Sequence, residues 1–173
     1  EGNLLSKEFI PDSEVYIEGK PTIYQYGAKV VKNAYFNARI ITKYGFDCVG
    51  CGIGLDGAAG TSAGIRLNGT SVRQSDGSWR EGITYDGYYI LAADKAFPNC
   101  TVLEISNHTF SGMGLTPGVA FKAIVVDRGG AITTNKLDLF VGSEKNINVV
   151  TNKRTANTKV TVVNFLKWTK NSS

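Results

Sequence analysis

Short runs of apolar and β-branched residues, separated by polar or glycine-rich segments, recur along the chain. They lie at residues 15–18, 29–31, 35–44, 87–92, 101–106, 119–127, 136–141 and 159–165. Each run has the length of a strand, and in several of them apolar and polar side chains alternate as on a half-buried β-strand. The seven runs from residue 29 onward predict a β-barrel or a β-sandwich.

Two glycine-rich intervals, residues 50–64 and 71–87, interrupt this series. The second contains Asp76-Gly77 and Asp86-Gly87, pairs that are typical of turns, and it predicts a long surface loop. The pattern favours one short helix, at residues 143–150. We therefore expect a mainly all-β fold with short helices and long glycine-rich loops.

The chain of 173 residues is long enough for one domain with its own core. Residues 1–34, which include Pro11 and Pro21, predict an N-terminal extension or linker, and residues 35–173 the barrel domain. The sequence has no run of about 18 apolar residues, so we expect no membrane insertion.

The net charge and the lack of a nucleotide-binding motif limit the classes of ligand that we expect this protein to bind. The net charge is +4, which suits an anionic partner such as a cell wall or nucleic acid, but solvated lysines are the favoured explanation of so small an excess. Gly129-Gly130 follows a strand without opening a nucleotide-binding motif. We expect neither nucleic acid as a partner nor a cofactor.

The three cysteines leave several interpretations open. Cys48 and Cys51 form a C-x-x-C pair, and Cys100 stands alone. Together with His108, the single histidine, they would complete a zinc site of three thiolates and one imidazole. A disulfide or plain buried thiols are the favoured alternatives, and we expect no metal.

Carboxylates are the strongest candidates for chemistry. Asp127 ends an apolar run, but the Asp127-Arg128-Gly129-Gly130 sequence also fits a turn cap. Asp138 lies between two leucines with no turn residue within two positions, and strand alternation places it on the same face as Lys136 and Phe140. An aspartate in such a strand needs a partner or a chemical role.

Several segments resemble one known family. They are Tyr44-Gly45-Phe46-Asp47-Cys48-Val49-Gly50-Cys51, Gly60-Thr61-Ser62-Ala63-Gly64, Ile90-Leu91-Ala92-Ala93-Asp94, and Asp127-Arg128-Gly129-Gly130-Ala131-Ile132 followed by Asp138 eleven positions after Asp127. In this order they are similar to the three-aspartate (3D) domain of stationary-phase survival proteins, phage wall lysins and the membrane-bound lytic transglycosylase A family. The resemblance covers residues 35–165.

The resemblance implies a double-psi β-barrel that cleaves the β-1,4 bond between N-acetylmuramic acid and N-acetylglucosamine in peptidoglycan, leaving a 1,6-anhydro end. It implies no metal or organic cofactor. The three aspartates that name the family fall on Asp94, Asp127 and Asp138, and the catalytic acid falls on Asp138. Such a protein acts on glycan strands outside the cytoplasm, at the cell wall, or as part of a phage tail.

The same resemblance indicates candidate substrate-binding residues. Thr61 begins a Thr-Ser-Ala-Gly segment where the family usually has Thr-Ala-Ser-Gly, and Lys136 shares the face of Asp138. The interval before residue 90 is longer than usual, and its aromatic residues either stack on sugar rings or cover the barrel end. They are Trp79, Tyr85, Tyr88 and Tyr89, of which Trp79 and Tyr88 are the chosen candidates.

Two non-catalytic functions remain alternatives at this stage. Barrels that resemble this one also bind or loosen glycan without cutting it, although a mere binder does not need an acid in an apolar strand. A phage-tail structural barrel would instead contact other virion or wall-associated proteins, with residues 1–34 and 71–87 as assembly surfaces.

Overall fold

The computed structural model describes residues 30–149 and 158–167, and within these ranges every regular element is a strand. The strands are β1 (Tyr35–Asn37), β2 (Ile40–Tyr44), β3 (Ala59–Gly60), β4 (Arg66–Leu67), β5 (Ser71–Arg73), β6 (Trp79–Glu81), β7 (Thr84–Tyr85), β8 (Tyr88–Ala92), β9 (Thr101–Ser106), β10 (Phe121–Asp127), β11 (Lys136–Phe140) and β12 (Lys159–Phe165). The mainly all-β prediction is confirmed. In the described part of the chain, no helix is long and apolar enough to cross a membrane.

The larger sheet has the order β1-β12-β9-β10-β8-β11-β2, and β7 pairs with β8 beside this path. Its two end strands, β1 and β2, come from one extended stretch of sequence. At the junction, the Ala38 N–H binds the Thr158 carbonyl and the Arg39 N–H binds the Asn135 carbonyl. The chain therefore passes from the β12 side to the β11 side within two residues, and the sheet curls.

The apolar core lies inside this curled sheet. Its most deeply buried members come from several strands, so the core joins segments far apart in sequence: Phe36, Ile41, Leu91, Leu103, Ile124 and Leu137. In β11, Leu137 and Leu139 are completely buried, whereas Asp138 between them is only partly buried. Alternation along β11 thus places Asp138 opposite the two leucines, on the face of Lys136 and of Phe140, which is also buried.

A second sheet has the order β3-β4-β5-β6, and all of its strands except β4 lie in the glycine-rich intervals that the sequence predicted as loops. The prediction was wrong for these residues because their strands are only two or three residues long and all of β6 is exposed. Side-chain oxygens close the turns: Asn68 accepts from the Ser71 N–H at 2.8 Å, and Asp76 accepts from the Ser78 N–H at 2.9 Å. Turn chemistry, rather than apolar periodicity, defines this sheet.

Two smaller expectations were also wrong. Residues 143–149 of the predicted helix form turns, bends and irregular chain instead, and Asp47 binds the Ser143 hydroxyl and the Glu144 N–H. Val30 and Val31 lie outside any strand, next to a turn in which Asn33 has a φ of 70°. The run at 15–18 and most of the predicted extension lie outside the described residues.

Candidate active site

Asp127 and Asp138 lie in one row across the larger sheet. Asp138 of β11 pairs with Ala92 of β8, and Asp127 of β10 pairs with the same alanine from the other side. Residues paired in this way point to the same face, so both carboxyl groups rise beside the small Ala92 side chain. Strand spacing places their α-carbons roughly 10 Å apart.

A β-bulge puts Asp127 into this row. The register of β10 against β8 shifts between Val125 and Asp127, so no residue of β8 lies opposite Val126. With regular pairing, Val126 would lie opposite Ala92 and Asp127 would fall on the other face. Bulges commonly redirect a side chain in this way beside active sites.

Asp138 has an environment that favours its protonated form. Its Oδ1 accepts a hydrogen bond of 2.6 Å from the Thr42 hydroxyl on the neighbouring β2. Burial raises its pKa to about 6, with smaller upward contributions from the negative charges of Asp127 and Glu144, whereas the Thr42 hydrogen bond lowers it. The carboxyl group is therefore able to give and take a proton near neutral pH.

Asp127 is held by three hydrogen-bond donors. Its Oδ1 accepts from the N–H groups of Ser62 at 2.9 Å and Arg128 at 2.8 Å, and its Oδ2 accepts from the Tyr44 hydroxyl at 2.9 Å. These contacts suit a carboxylate, which only accepts hydrogen bonds. Burial and the charges of Asp127 and Asp138 raise the pKa of Tyr44, so its hydroxyl stays a proton donor.

The two aspartates open onto a cleft of about 300 Å³. Its lining comes from strands of the larger sheet and from the loops that follow β2, β10 and β11: Lys43, Tyr44, Cys48, Val49, Cys51, Ala92, Asp127, Arg128, Gly129, Asp138 and Glu144. The cleft has two cationic side chains, and both bind backbone carbonyl oxygens. Lys43 donates to the carbonyls of Asn146 and Val149, and Arg128 donates to the carbonyl of Phe97. Neither ion pair of the described residues involves a cleft residue.

Asp94 is not among the residues that line the cleft. Its Oδ1 accepts from the Ala96 N–H at 2.8 Å, and its Oδ2 accepts from the Thr134 N–H at 2.9 Å. The side chain thus joins the turn after β8 to the turn before β11. Of the three predicted aspartates, two meet at the cleft and the third has a structural position.

The predicted substrate-binding residues also lie outside the cleft lining. Thr61 is buried, and its hydroxyl accepts from the Ile65 N–H. Trp79 is on the small sheet, and Tyr88 is at the start of β8, four residues before Ala92. Lys136 lies two residues from Asp138, on the same face of β11, but it does not line the cleft. The geometry gives none of the four a contact with the cleft.

Thr42, Tyr44 and Ser62 are the site residues that the sequence did not single out. Thr42 and Tyr44 are two residues apart on β2, so their side chains point to the same face. This signal is recognisable only once β2 is known to pair with β11. Ser62 acts through its backbone N–H, so its side-chain type carries no signal.

The cysteines do not form the zinc site considered above. Cys48 and Cys51 form a disulfide with their α-carbons 5.2 Å apart, and Cys100 is a buried free thiol. The ring of His108 binds the Val119 carbonyl and the Phe110 N–H and packs on Phe110. Disulfide and buried thiol, the favoured alternatives, are both present.

A scan against protein-family models and searches of curated proteins and of solved structures found no match to this chain.

Proposed function

We propose that the protein is a lytic transglycosylase that cleaves the MurNAc–GlcNAc β-1,4 bond of peptidoglycan on a double-psi β-barrel of the three-aspartate type. The observation that carries the proposal is Asp138, a carboxyl group with a pKa raised to about 6, in a cleft beside a second carboxylate. The curled sheet, whose end strands come from one stretch of sequence, supports the barrel.

In the first step, protonated Asp138 donates its proton to the glycosidic oxygen as the C1–O bond of the muramic acid unit breaks. With its pKa raised to about 6 by burial, about a tenth of this carboxyl group is protonated at pH 7, far more than of a solvated aspartate. The positive charge that develops at the sugar ring is stabilised by the carboxylate of Asp127.

In the second step, the Asp138 carboxylate takes the proton from the C6 hydroxyl of the same sugar. The C6 oxygen then bonds to C1 and closes the 1,6-anhydro ring, so water is not consumed and the acid is regenerated. One carboxyl group thus serves as acid and then as base, whereas ordinary glycoside hydrolysis uses two. The proposed chemistry requires no metal or organic cofactor.

Asp127 acts through its charge and its fixed position. Its negative charge contributes to the raised pKa of Asp138, and the donors of Tyr44, Ser62 and Arg128 hold it in place. Its role is therefore to keep the acid protonated and to stabilise the positively charged transition state.

Product analysis tests this proposal directly. Purified peptidoglycan is incubated with the protein, and the released fragments are measured by mass spectrometry. We expect fragments lighter than hydrolytic ones by one water, the mark of anhydro ends, and none with Asp138→Asn. Hydrolytic fragments would exclude the transglycosylase mechanism, and binding of glycan without cleavage would indicate a non-catalytic barrel at a wall or in a phage tail.

A further inference from the structure

The cleft lining combines charged groups with apolar ones. Asp127, Asp138 and Glu144 provide carboxylates, whereas the loop after β2 contributes Val49 and the disulfide of its neighbours. The Val49 side chain is fully exposed, at 101% of its reference area. Val49 is thus the fully exposed apolar residue among those that line the cleft, where it is available to an apolar group of a bound ligand.

The loop that carries Val49 is closed covalently. The Cys48–Cys51 disulfide spans it, the Cys51 N–H binds the Cys48 carbonyl at 3.0 Å, and Gly50 supplies a φ of 87° that the turn requires. Val49 is therefore held in position before any ligand arrives, which reduces the entropic cost of a contact.

We propose that Val49 is a substrate-contact residue that packs against the methyl group of an N-acetyl substituent on the glycan. The inference rests on the proposed function and specifies one of its contacts. A valine side chain has no hydrogen-bonding group, so its contribution to binding a sugar is apolar contact. The acetamido methyl is an apolar group in a glycan otherwise covered with hydroxyls.

The same glycine-rich region offers a matched comparison. Leu55 is as exposed as Val49, at 112%, but it does not line the cleft. Replacing either residue removes a similar amount of exposed apolar surface, and only Val49 is positioned to change glycan binding.

The test measures KM and kcat for two soluble substrates that differ by one methyl group. One is a set of N-acetylated glycan strands, and the other is the same strands after N-deacetylation and N-formylation. Val49→Ser should raise KM roughly three- to tenfold on acetylated strands, with kcat nearly unchanged, and have little effect on formylated strands. Leu55→Ser should change neither constant.

Reduction of the disulfide gives a second measurement. Once thiol titration shows that Cys48 and Cys51 are free, KM on acetylated strands should rise in the unmodified protein and change little in Val49→Ser. Equal effects of Val49→Ser on both substrates, or none on either, would overturn the inference while leaving the proposed function intact. If the unmodified protein releases no anhydro products, the proposed function itself fails, and this inference with it.

Discussion

The surroundings of Asp138 and of Asp94 show how the same type of side chain is placed in two different environments in one protein. Asp138 lies in the middle of β11 and receives one hydrogen bond, from the Thr42 hydroxyl. Asp94 follows β8 and binds two backbone N–H groups, those of Ala96 and Thr134. Both carboxylate oxygens of Asp94 accept backbone hydrogen bonds and so join two turns. The carboxyl group of Asp138 is instead partly desolvated and is free to exchange a proton.

The largest expected difference between the two sites is in the rate of cleavage. Asp138→Asn should lower kcat by about a thousandfold or more, because an amide of the same shape cannot donate the proton. Asp94→Asn should reduce it by less than about tenfold, since that side chain is outside the cleft. Initial rates on purified peptidoglycan measure both, and comparable losses in the two variants would remove Asp138 from its role.

Stability should change in opposite directions at the two sites. Because the folded-state pKa of Asp138 is raised to about 6, its contribution to stability is complete below its ordinary pKa and is lost as pH rises through about 6. Asp138→Asn should therefore gain on the order of 1–2 kcal/mol near pH 8, after allowance for solvent screening, and nothing near pH 4.

Asp94→Asn should instead lose about 1 kcal/mol, since an amide accepts only one of the two backbone hydrogen bonds. Urea unfolding at both pH values measures the free energy of unfolding of each variant. A gain for Asp138→Asn that did not depend on pH would contradict the assigned pKa.

The charge of Asp127 should be visible in the pH dependence of cleavage. The proposed mechanism requires protonated Asp138, so kcat/KM should fall as pH rises through about 6. Asp127→Asn removes a charge that raises the pKa of Asp138 and should move this decline to lower pH, at a cost of about tenfold in rate. Asp94→Asn is the control, and its profile should not move; an unmoved Asp127→Asn profile would exclude the coupling.

Thr42→Val should move the same decline in the opposite direction. The Thr42 hydrogen bond lowers the pKa of Asp138, so its removal by a side chain of the same shape raises that pKa further. The effect on the maximal rate should be less than about threefold, since the acid itself is retained. A shift to lower pH would show that Thr42 acts in another way.

The smallest effect belongs to the turn that Asp94 binds. Thr134 has a φ of 57° in the left-handed region, which is costly for a β-branched residue. Thr134→Gly keeps the N–H that binds Asp94 and should stabilise the protein by about 0.5 kcal/mol, the relief of strain exceeding the entropy cost of glycine. Thermal unfolding measures the difference, and a loss of stability would mean that the Thr134 side chain makes a contribution of its own.

The strands of the larger sheet were largely predictable because their side-chain pattern is local. The predicted limits of β9 and β12, Thr101–Ser106 and Lys159–Phe165, agree with the structure, and the partial exposure of Asp138 between two buried leucines fits strand alternation. The second sheet was missed because its strands are too short to show a period. Their position in apolar strands indicated Asp127 and Asp138, whereas Asp94 was indicated by the resemblance to a family alone.

By itself the sequence determined the mainly all-β class, the long strands and the face that Asp138 shares with Lys136 and Phe140, since each depends on neighbouring residues. Only the tertiary structure decided that Asp127 joins Asp138, because a bulge in β10 and the common partner Ala92 set that contact. It also decided that Asp94 binds turns, that the N–H of Ser62 holds Asp127, and that Cys48 pairs with Cys51. Pairing register and backbone hydrogen bonds link residues distant in sequence, and no local pattern records them.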